Sequence, residues 1–446
     1  MSDTESEFGD VVHTADLVLV SPEKHEDGAG EPVAPSPQRT SRRGVAAILV
    51  AMAGNAAATL MPPLVALPIY VEKFDSEDKA TSLGVALGLN ALLLLFLTPI
   101  FGALSDRTTS PLGMRKPGLI AGTAIIVLGL VVQGLASGVG TLILGTLVMA
   151  LGQAAFTASF SALIPDQVAP TGRGRVLGFQ SLVLVVVGVS ASFVGPVLLD
   201  HQLLLFTVGG GIAMLTTLAA VVLLDDRVLD KRNAPNQPPL RALVEGFAYH
   251  PKSAPDFSWV WLSRFLVTLG ISFGGFSIYF LTDQLNVTDD ELPSLISLSA
   301  VINLGGTVIG TLLGAFLADK LGRLKSLVIF TGLIFLAGGL IAAFSPTVPV
   351  FLLATGVIAV AIGSFLPIDG ALVMAVLPGG QAQTGKYMAI ITIADQLPRS
   401  VGPFLAPVVV AVGAATPLGG YPLLYLFMGV VAVAGGLVVR KVRNVR

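Results

Sequence analysis

Three ionisable side chains lie inside long apolar runs of this chain and could carry proton or ion-pair chemistry. Asp369 is in one run, and Asp395 and Arg399 are one helical turn apart in the next. A charge in the hydrocarbon core of a bilayer costs at least about 2.5–3.5 kcal/mol, so these groups must face water or one another. A carboxyl group in such a place can bind and release a proton as its surroundings change. We predict that Asp369 or Asp395 is the group that binds and releases this proton, and that Arg399 belongs to the same site.

Other residues recur along the chain at a fixed offset of 213 positions. The recurring pairs are Asn90 and Asn303, Asp106 and Asp319, and Pro165 and Pro378. A repeat this long in an apolar chain predicts two copies of one helical bundle. The boundary between two such bundles is where solutes cross in many membrane transporters.

The three ionisable residues do not follow this repeat. The positions equivalent to Asp369, Asp395 and Arg399 hold Phe156, Leu182 and Val186. Packing symmetry therefore does not explain charges in the second half alone. The alternative is that Asp395 and Arg399 form an internal ion pair that holds their helix in register.

Uncharged polar residues and one further arginine also lie within apolar runs. Asn55 and Gln153 could contact a solute in a cavity, or they could hydrogen-bond a neighbouring helix, and both alternatives stay open. Arg264 is near the start of its run, so we expect its charge to reach the membrane surface.

The loop after the second run has the composition of a gate between the bundles. Its candidate gate residues are Gly102, Asp106, Arg107, Gly113 and Arg115, and the second half repeats the pattern in part with Asp319 and Arg323. We expect Gly102 to permit a close approach at the helix end. Asp106 can cap a helix N-terminus, and Arg107 and Arg115 can pair with carboxylates across a closing gate. The alternative is that the basic residues only fix the topology.

Twelve apolar runs are long enough to cross a bilayer as helices, which takes about 20 residues each. They lie at 45–71, 80–104, 117–137, 139–164, 176–200, 201–224, 258–284, 292–318, 326–344, 349–377, 387–412 and 419–439. The runs do not alternate as strands of a barrel would. The sequence therefore predicts an all-α membrane protein with two pseudo-symmetric six-helix bundles. Prolines in the first run (Pro62, Pro63) and glycines in the seventh (Gly274, Gly275) predict bends.

Polar segments divide the chain into parts. We predict a disordered cytoplasmic tail at 1–43, a first bundle at 44–224, a cytoplasmic linker at 225–257, a second bundle at 258–440 and a tail at 441–446. With loops assigned to alternate sides, 22 of the 26 Lys and Arg residues fall on the side of the termini. This bias places both termini in the cytoplasm.

Composition excludes several function classes. Hydrophobic residues make up 53% of the chain and charged residues 12%, so most of the outer surface must face lipid. There is no cysteine, which excludes disulfides and thiolate chemistry, and the net charge of -2 gives no basic surface for nucleic acid. No Ser/His/Asp set, zinc motif or phosphate loop predicts an enzyme, a metal site or a cofactor. The expected partners are a small-molecule solute, a proton or sodium gradient and the lipid of the cell membrane, with the chain acting as a monomer.

The segment Gly102-Ala-Leu-Ser-Asp106-Arg107, followed by Gly113-Met-Arg115-Lys116-Pro117, resembles the loop signature of the major facilitator superfamily. The resemblance covers residues 44–440. It implies two bundles that rock about a central site, with Asp106 latching its loop to the start of helix 11, and coupling to a proton or sodium gradient. The longer form of the loop, together with Ile368–Pro378, is similar to glycoside–pentoside–hexuronide and sucrose-type symporters, which implies uptake of a sugar or glycoside.

Two departures concern the proton-linked drug exporters of this superfamily. Those exporters carry an Arg upstream of a Gln-Gly pair in helix 4 and two paired glycines after Gly-Pro in helix 5. Here the run around Gln153 has no Arg, and Gly195-Pro196 is followed by Val197. The chain has only two tryptophans, Trp259 and Trp261, for stacking on a sugar, and both are at the edge of the seventh run. The two departures weigh against export, and the scarcity of tryptophan weighs against a sugar. Export of drugs or amphipathic metabolites therefore stays open as the alternative function.

Overall fold

The computed structural model describes residues 40–226, 254–378 and 384–443. Within these ranges the regular elements are helices, and twelve of them are long and apolar enough to cross a membrane. We label them α1 to α12: Arg42–Phe74, Lys79–Ser105, Lys116–Gly134, Val139–Gln167, Pro170–Val197, Gln202–Leu223, Pro255–Gln284, Leu292–Leu321, Leu324–Ala343, Val348–Val376, Tyr387–Ala414 and Gly420–Lys441. Most of the predicted tail (1–39), most of the linker (227–253) and residues 444–446 lie outside the described residues.

The helices confirm the predicted repeat. In the first half α1 begins at Arg42 and α2 at Lys79; in the second half α7 begins at Pro255 and α8 at Leu292. The start of α7 is 213 positions after the start of α1, and the start of α8 is 213 positions after the start of α2. This is the offset that separates the recurring residues. The predicted all-helical fold with twelve transmembrane helices in two repeated halves is therefore correct.

The two ends of the helices differ in charge. One end, called the basic end here, carries Arg42, Arg43, Arg115, Lys116, Arg173, Arg175, Lys320, Arg323, Lys325, Arg440 and Lys441. The other end, called the acidic end, carries Glu72, Asp75, Glu77, Asp78, Asp200, Asp283, Asp289, Asp290 and Glu291. The bias of Lys and Arg toward one side of the membrane, which the sequence predicts, is therefore also present at one end of the folded helices.

Two helices change their winding at the predicted places. α1 forms a π-helical turn over Pro62–Ala66, where the proline nitrogens cannot donate to the regular helical ladder. α7 passes through a 3₁₀ segment at Ser272–Phe276 and a π-helical turn at Phe280–Gln284. These interruptions put less regular backbone beside the boundary between the halves, which we call the seam.

Small residues bring helices of one half into close contact. Gly306, Gly310 and Gly314 follow one face of α8, and a Cβ at Gly310 or Gly314 would overlap backbone atoms of α10. Close backbone approach of this kind is a main source of helix association in lipid, where burial of apolar surface gives no net gain. α8 and α10 are therefore expected to move as one unit.

The apolar cores are shared between the halves at one end only. A large cluster at the acidic end contains buried residues of both halves, among them Tyr70, Leu83, Phe273 and Tyr279. At the basic end each half has its own cluster, one within residues 47–224 and the other within 254–442. The halves therefore pack on each other at the acidic end and have separate cores at the basic end.

Candidate functional site

Three charged residues of the second half meet inside the membrane-spanning region. The Nη1 atom of Arg264 on α7 lies 3.1 Å from Oδ2 of Asp369 on α10, and its Nε lies 3.8 Å from Oδ1 of Asp395 on α11. Thr268 Oγ1, one turn after Arg264, donates to Asp395 Oδ1 over 3.4 Å. The Asp369 side chain is only 2% exposed, whereas that of Asp395 is 32% exposed. We call Arg264, Asp369 and Asp395 the charge triad.

The charge triad lies at membrane depth. Arg264 is nine residues after the start of α7 and Asp369 is seven before the end of α10, which places them about 10–14 Å from the basic end. Charges that are taken out of water at such a depth need a partner of opposite sign. The triad provides this with one guanidinium and two carboxyl groups, so one carboxyl group can be neutral while the arginine keeps a charged partner.

Some hydrogen-bonding capacity of the triad is unused. Asp369 Oδ1 and Arg264 Nε are buried and have no hydrogen-bond partner in the structure. A buried polar atom without a partner costs free energy until a proton, water or ligand satisfies it. The triad can therefore take up a further group at Asp369 Oδ1 or near Arg264 Nε.

The structure corrects two expectations for the arginines. The expectation that Arg264 reaches the membrane surface is wrong: the residue is two turns inside α7, where two carboxyl groups of α10 and α11 are within reach. Asp395 and Arg399 do not form the internal pair considered as the alternative, because Asp395 contacts Arg264 and Thr268. Arg399 is exposed and has no ion pair in the part of the chain that the structure describes.

Arg399 lies toward the other half of the molecule. It is one turn before Pro403, and a Cβ on Gly84 of α2 would overlap the carbonyl oxygen of Pro403. α11 and α2 are thus in close contact just beyond Arg399 on the acidic side. Arg399 itself is exposed. The roles predicted for Asp369, Asp395 and Arg399 stay predictions.

A cavity of about 350 Å³ lies in the seam between α1, α5, α7, α8 and α10. We call it the seam cavity. Its apolar side is formed by Leu64 of α1 and Leu184, Val185 and Val189 of α5, and its polar side by Ser299, Asn303 and Thr307 of α8 and Thr355 of α10. A hydrogen bond from Ser297 Oγ of α8 to the Ser192 carbonyl of α5 joins the halves beside it.

Asn55 and Gln153 are not among the residues that line the seam cavity. Asn55 is half-buried and its Oδ1 has no hydrogen-bond partner, although it is inaccessible to solvent. Gln153 is half-buried in α4, next to Gly152, whose added Cβ would overlap the backbone of α3. Contact of either residue with a solute stays a prediction.

At the basic end of the first half, Arg115 organises the candidate gate. Its guanidinium donates to Asp106 Oδ1 over 2.7 Å, to Asp166 Oδ2 over 3.1 Å and to Ser105 Oγ over 3.0 Å. Burial by itself lowers the pKa of Arg115, but hydrogen bonds and charge from Asp106 and Asp166 outweigh burial and raise that pKa. The arginine thus stays charged while it ties the loop between α2 and α3 to the end of α4.

The gate contacts differ from those expected in three respects. Asp106 neither caps a helix N-terminus nor latches to α11 in this conformation, because its carboxylate binds Arg115 within its own loop. Gly102 is not at a close approach, since a Cβ there would meet no atom within 4 Å. Asp319 is exposed and has no ion pair within the described residues, because Val328 stands where the repeat would place a second Arg115. Arg107 is half-buried and Arg323 exposed.

Gly113 of the same loop has a strict conformational role. Its φ of +110° is in the region that side chains rarely adopt, and a Cβ would overlap the carboxylate of Asp226. That carboxylate accepts the backbone N–H groups of Arg115 over 2.7 Å and Lys116 over 2.9 Å. Asp226 therefore caps the first turn of α3 beneath Gly113.

We expect Gly113→Ala to destabilise the protein, because it adds about 1–2 kcal/mol of backbone strain and displaces the Asp226 cap. The measurement is the Tm of purified protein in one detergent. Gly102→Ala is the matched control, since its Cβ meets empty space, and it should leave Tm unchanged or higher. Equal Tm values for the two variants would show that the gate does not need this turn.

At the acidic end a lysine joins the two halves. Lys79 Nζ of α2 donates to Asp283 Oδ1 of α7 over 2.6 Å and also to Glu72 of α1. Beside it, Tyr279 Oη of α7 donates to the Pro68 carbonyl of α1 over 2.9 Å. We call the contacts of Lys79 with Glu72 and Asp283 the acidic-end clasp. The clasp and the shared apolar core close the seam at this end.

Sequence reasoning missed Arg264 as a partner of the carboxyl groups and missed the clasp. A signal for the clasp is present in the sequence, because Lys79 is one of only two lysines assigned to the side opposite the termini. For Arg264 the signal is its place within an apolar run, although a position near the start of that run favours the membrane surface when taken alone.

Comparisons with known proteins agree with this architecture. The Major Facilitator Superfamily model matches residues 44–282 and 260–446. No curated protein matches the sequence. A bacterial homologue of the human lysosomal transporter Spinster, solved in an inward-facing and unoccupied conformation, is similar in structure with a TM-score of 0.65 and 17% identity, over 90% of this chain and 94% of that one.

A mutant of the nucleoside transporter NupG is also similar, with a TM-score of 0.69 and 13% identity, over 90% of this chain and 98% of that one. At these identities the likeness establishes the fold alone. The family model covers almost the whole described chain, and the fold is that of transporters rather than enzymes. The chain is a member of the Major Facilitator Superfamily.

Proposed function

We propose that this secondary transporter moves a small organic solute by alternating access and couples the movement to protons through the charge triad. The observation that supports this most directly is the burial of Asp369 beside Arg264, with Asp395 as a second carboxyl group. Three charges in one half, at membrane depth and without counterparts in the other, have a cost that packing does not explain. A proton-binding site accounts for them.

The conformation supports alternating access. The halves share a core and the clasp at the acidic end and have separate cores at the basic end. If the basic end is cytoplasmic, as its Lys and Arg content predicts, this state is closed to the outside and open to the inside. The plasma membrane is then the natural location, with both termini cytoplasmic.

Competition within the triad supports proton coupling. When Asp369 and Asp395 are both ionised, Arg264 has to serve two carboxylates, one at 3.1 Å and one at 3.8 Å. Binding of a proton at one carboxyl group leaves a single compact ion pair. The two protonation states thus favour different positions of α7, α10 and α11, and a ligand that distinguishes conformations shifts their populations.

Two solute classes remain from the sequence: a sugar or glycoside that is taken up, and a drug or amphipathic metabolite that is exported. The resemblance to the sugar symporters rests on the loop after α2 and on Ile368–Pro378. The direction of coupling separates the two, because uptake would move solute and proton together and export would exchange them.

A pH dye inside proteoliposomes tests coupling and direction in one measurement. Vesicles that contain the protein and pyranine receive sucrose, uridine or N-phenyl-1-naphthylamine outside, with sodium present or absent. We expect one probe to change the internal pH, with acidification for symport and alkalinisation for exchange. Radiolabelled probe that equilibrates without any pH change, or only with sodium, would contradict proton coupling.

A further inference from the structure

The seam cavity has one polar and one apolar wall. Ser299, Asn303 and Thr307 follow each other at intervals of four residues along α8, so they lie on one face of that helix. Across the cavity, Leu184 and Val189 of α5 present only hydrocarbon. A ligand that fits both walls must carry an apolar body and a compact hydrogen-bonding group.

The polar wall has a free hydroxyl group. Two other hydroxyl groups of α8 bond to backbone carbonyl oxygens of their own helix, that of Ser297 to Pro293 and that of Thr311 to Thr307. Ser299 Oγ is buried without any hydrogen-bond partner. Asn303, one turn further along, is exposed. Asn303 is available to a ligand at the surface of the cavity, and a ligand group that reaches Ser299 Oγ would remove the cost of an unsatisfied buried group.

The lining carries no charge. Of the described residues that form the cavity, none is Asp, Glu, Lys, Arg or His, and Phe351 is the single aromatic one. The charge triad is distant, since Thr355 of the cavity and Asp369 are 14 residues apart on α10, which is about 21 Å. A charged solute would lose its hydration here without a counter-charge. A sugar would face hydrocarbon on one side and find little aromatic surface for stacking.

We propose that the seam cavity is the binding site for an uncharged amphipathic solute, whose apolar body lies against α5 and whose polar group bonds Ser299 and Asn303. This assignment rests on the proposed transport function and specifies its substrate class. The solute then binds in the seam cavity, and the proton binds separately at the charge triad of the second half.

Gly188 allows a direct test because it lines the cavity and has room for a side chain. A Cβ there would meet only Leu60 Cδ1, at an ordinary 3.6 Å. Gly188→Leu should therefore fill the cavity without moving the backbone. Gly178→Leu is the matched control on the same helix, since a Cβ at Gly178 meets nothing within 4 Å.

The probes are two dyes that share an aromatic body. N-phenyl-1-naphthylamine is uncharged, and 1-anilino-8-naphthalenesulfonate adds a negative charge. Both are titrated by fluorescence against the full chain in lipid nanodiscs, with empty nanodiscs subtracted. We expect saturable binding of the uncharged dye to the wild type and to Gly178→Leu, at least about tenfold weaker binding to Gly188→Leu and about fivefold weaker binding to Asn303→Leu. The sulfonate should not compete.

Equal binding of the uncharged dye by Gly188→Leu and the wild type would overturn the assignment, and so would displacement by the sulfonate at similar affinity. Its failure is distinguishable from failure of the proposed function. If proton-coupled transport of sucrose or a charged solute is unaffected by Gly188→Leu, the cavity assignment fails and proton coupling stands. If the dye binds as expected and its transport causes no pH change, the cavity assignment stands and proton coupling fails.

Discussion

Replacing Asp369 and Asp395 together by asparagine should reduce gradient-driven accumulation of solute to the equilibrium level. A gradient of one pH unit is worth about 1.4 kcal/mol per proton, which can drive about tenfold accumulation in the wild type. Asparagine keeps the size and hydrogen bonding of the side chain and cannot bind the proton. Counterflow, which exchanges labelled for unlabelled solute without a gradient, should continue. The measurement compares both assays in the same vesicles.

Two further variants separate coupling from stability. Removal of both negative charges leaves Arg264 without its partners, which can destabilise a protein strongly. Arg264→Gln combined with Asp369→Asn removes a charge pair instead, and it should also lose accumulation while it stays monodisperse. Asp290→Asn, an exposed carboxyl group at the acidic end, is the control and should accumulate normally. Full accumulation by the double asparagine variant would contradict the proposal that the triad couples transport to protons.

Lys79→Gln should shift the protein toward the conformation in which the acidic end is open. The lysine side chain is 12% exposed and holds carboxylates of both halves, so its loss leaves Glu72 and Asp283 facing each other without a cation. A partly exposed pair of this kind is worth about 1 kcal/mol, which corresponds to a population change of about fivefold. The shared apolar core should still hold part of the population closed.

The chain offers a clean measurement because it contains no cysteine. Ile278, which is 4% exposed and lines the seam cavity, becomes a single labelling site as Ile278→Cys. A membrane-impermeant maleimide added from the acidic side should react about fivefold faster when Lys79→Gln is present. Lys73→Gln is the matched control, since Lys73 lies over the ring of Tyr70 at 5.3 Å and not between the halves. Unchanged labelling by Lys79→Gln would show that the clasp does not set the balance of states.

Most of the fold could be predicted from the sequence because the bilayer imposes length and polarity on every helix. The run predicted at 80–104 is the helix Lys79–Ser105, and the run at 292–318 is Leu292–Leu321. The repeat offset predicted the two halves because it reflects one bundle duplicated in the chain, and the starts of α1 and α7 and of α2 and α8 keep it. Interruptions at Pro62 and Gly274 were predictable because these residues disturb helical winding locally.

The site was predictable only in part, because contacts between helices depend on rotation about each helix axis. Asp369 and Asp395 stood out as charges in apolar runs, and the structure brings them together. Their ion-pair partner in the structure is Arg264 and not Arg399, because spacing within α11 favours Arg399 and only the packing of α7 against α10 and α11 selects Arg264. Similarly, the motif identified Asp106 and Arg115, and their mutual bond depends on the path of the loop.

One helix connects the two features on which transport is proposed to depend. α7 carries Arg264 of the charge triad in its first part and Asp283 of the acidic-end clasp in its last part, with the 3₁₀ segment Ser272–Phe276 between them. On the proposed mechanism, a change of protonation at the charge triad moves the first part of α7, and the same helix carries that movement to the acidic-end clasp. The 3₁₀ segment Ser272–Phe276 then acts as a hinge, and its stiffness determines how much of this movement reaches the clasp. Transport speed would thus be tunable at residues that touch neither proton nor solute.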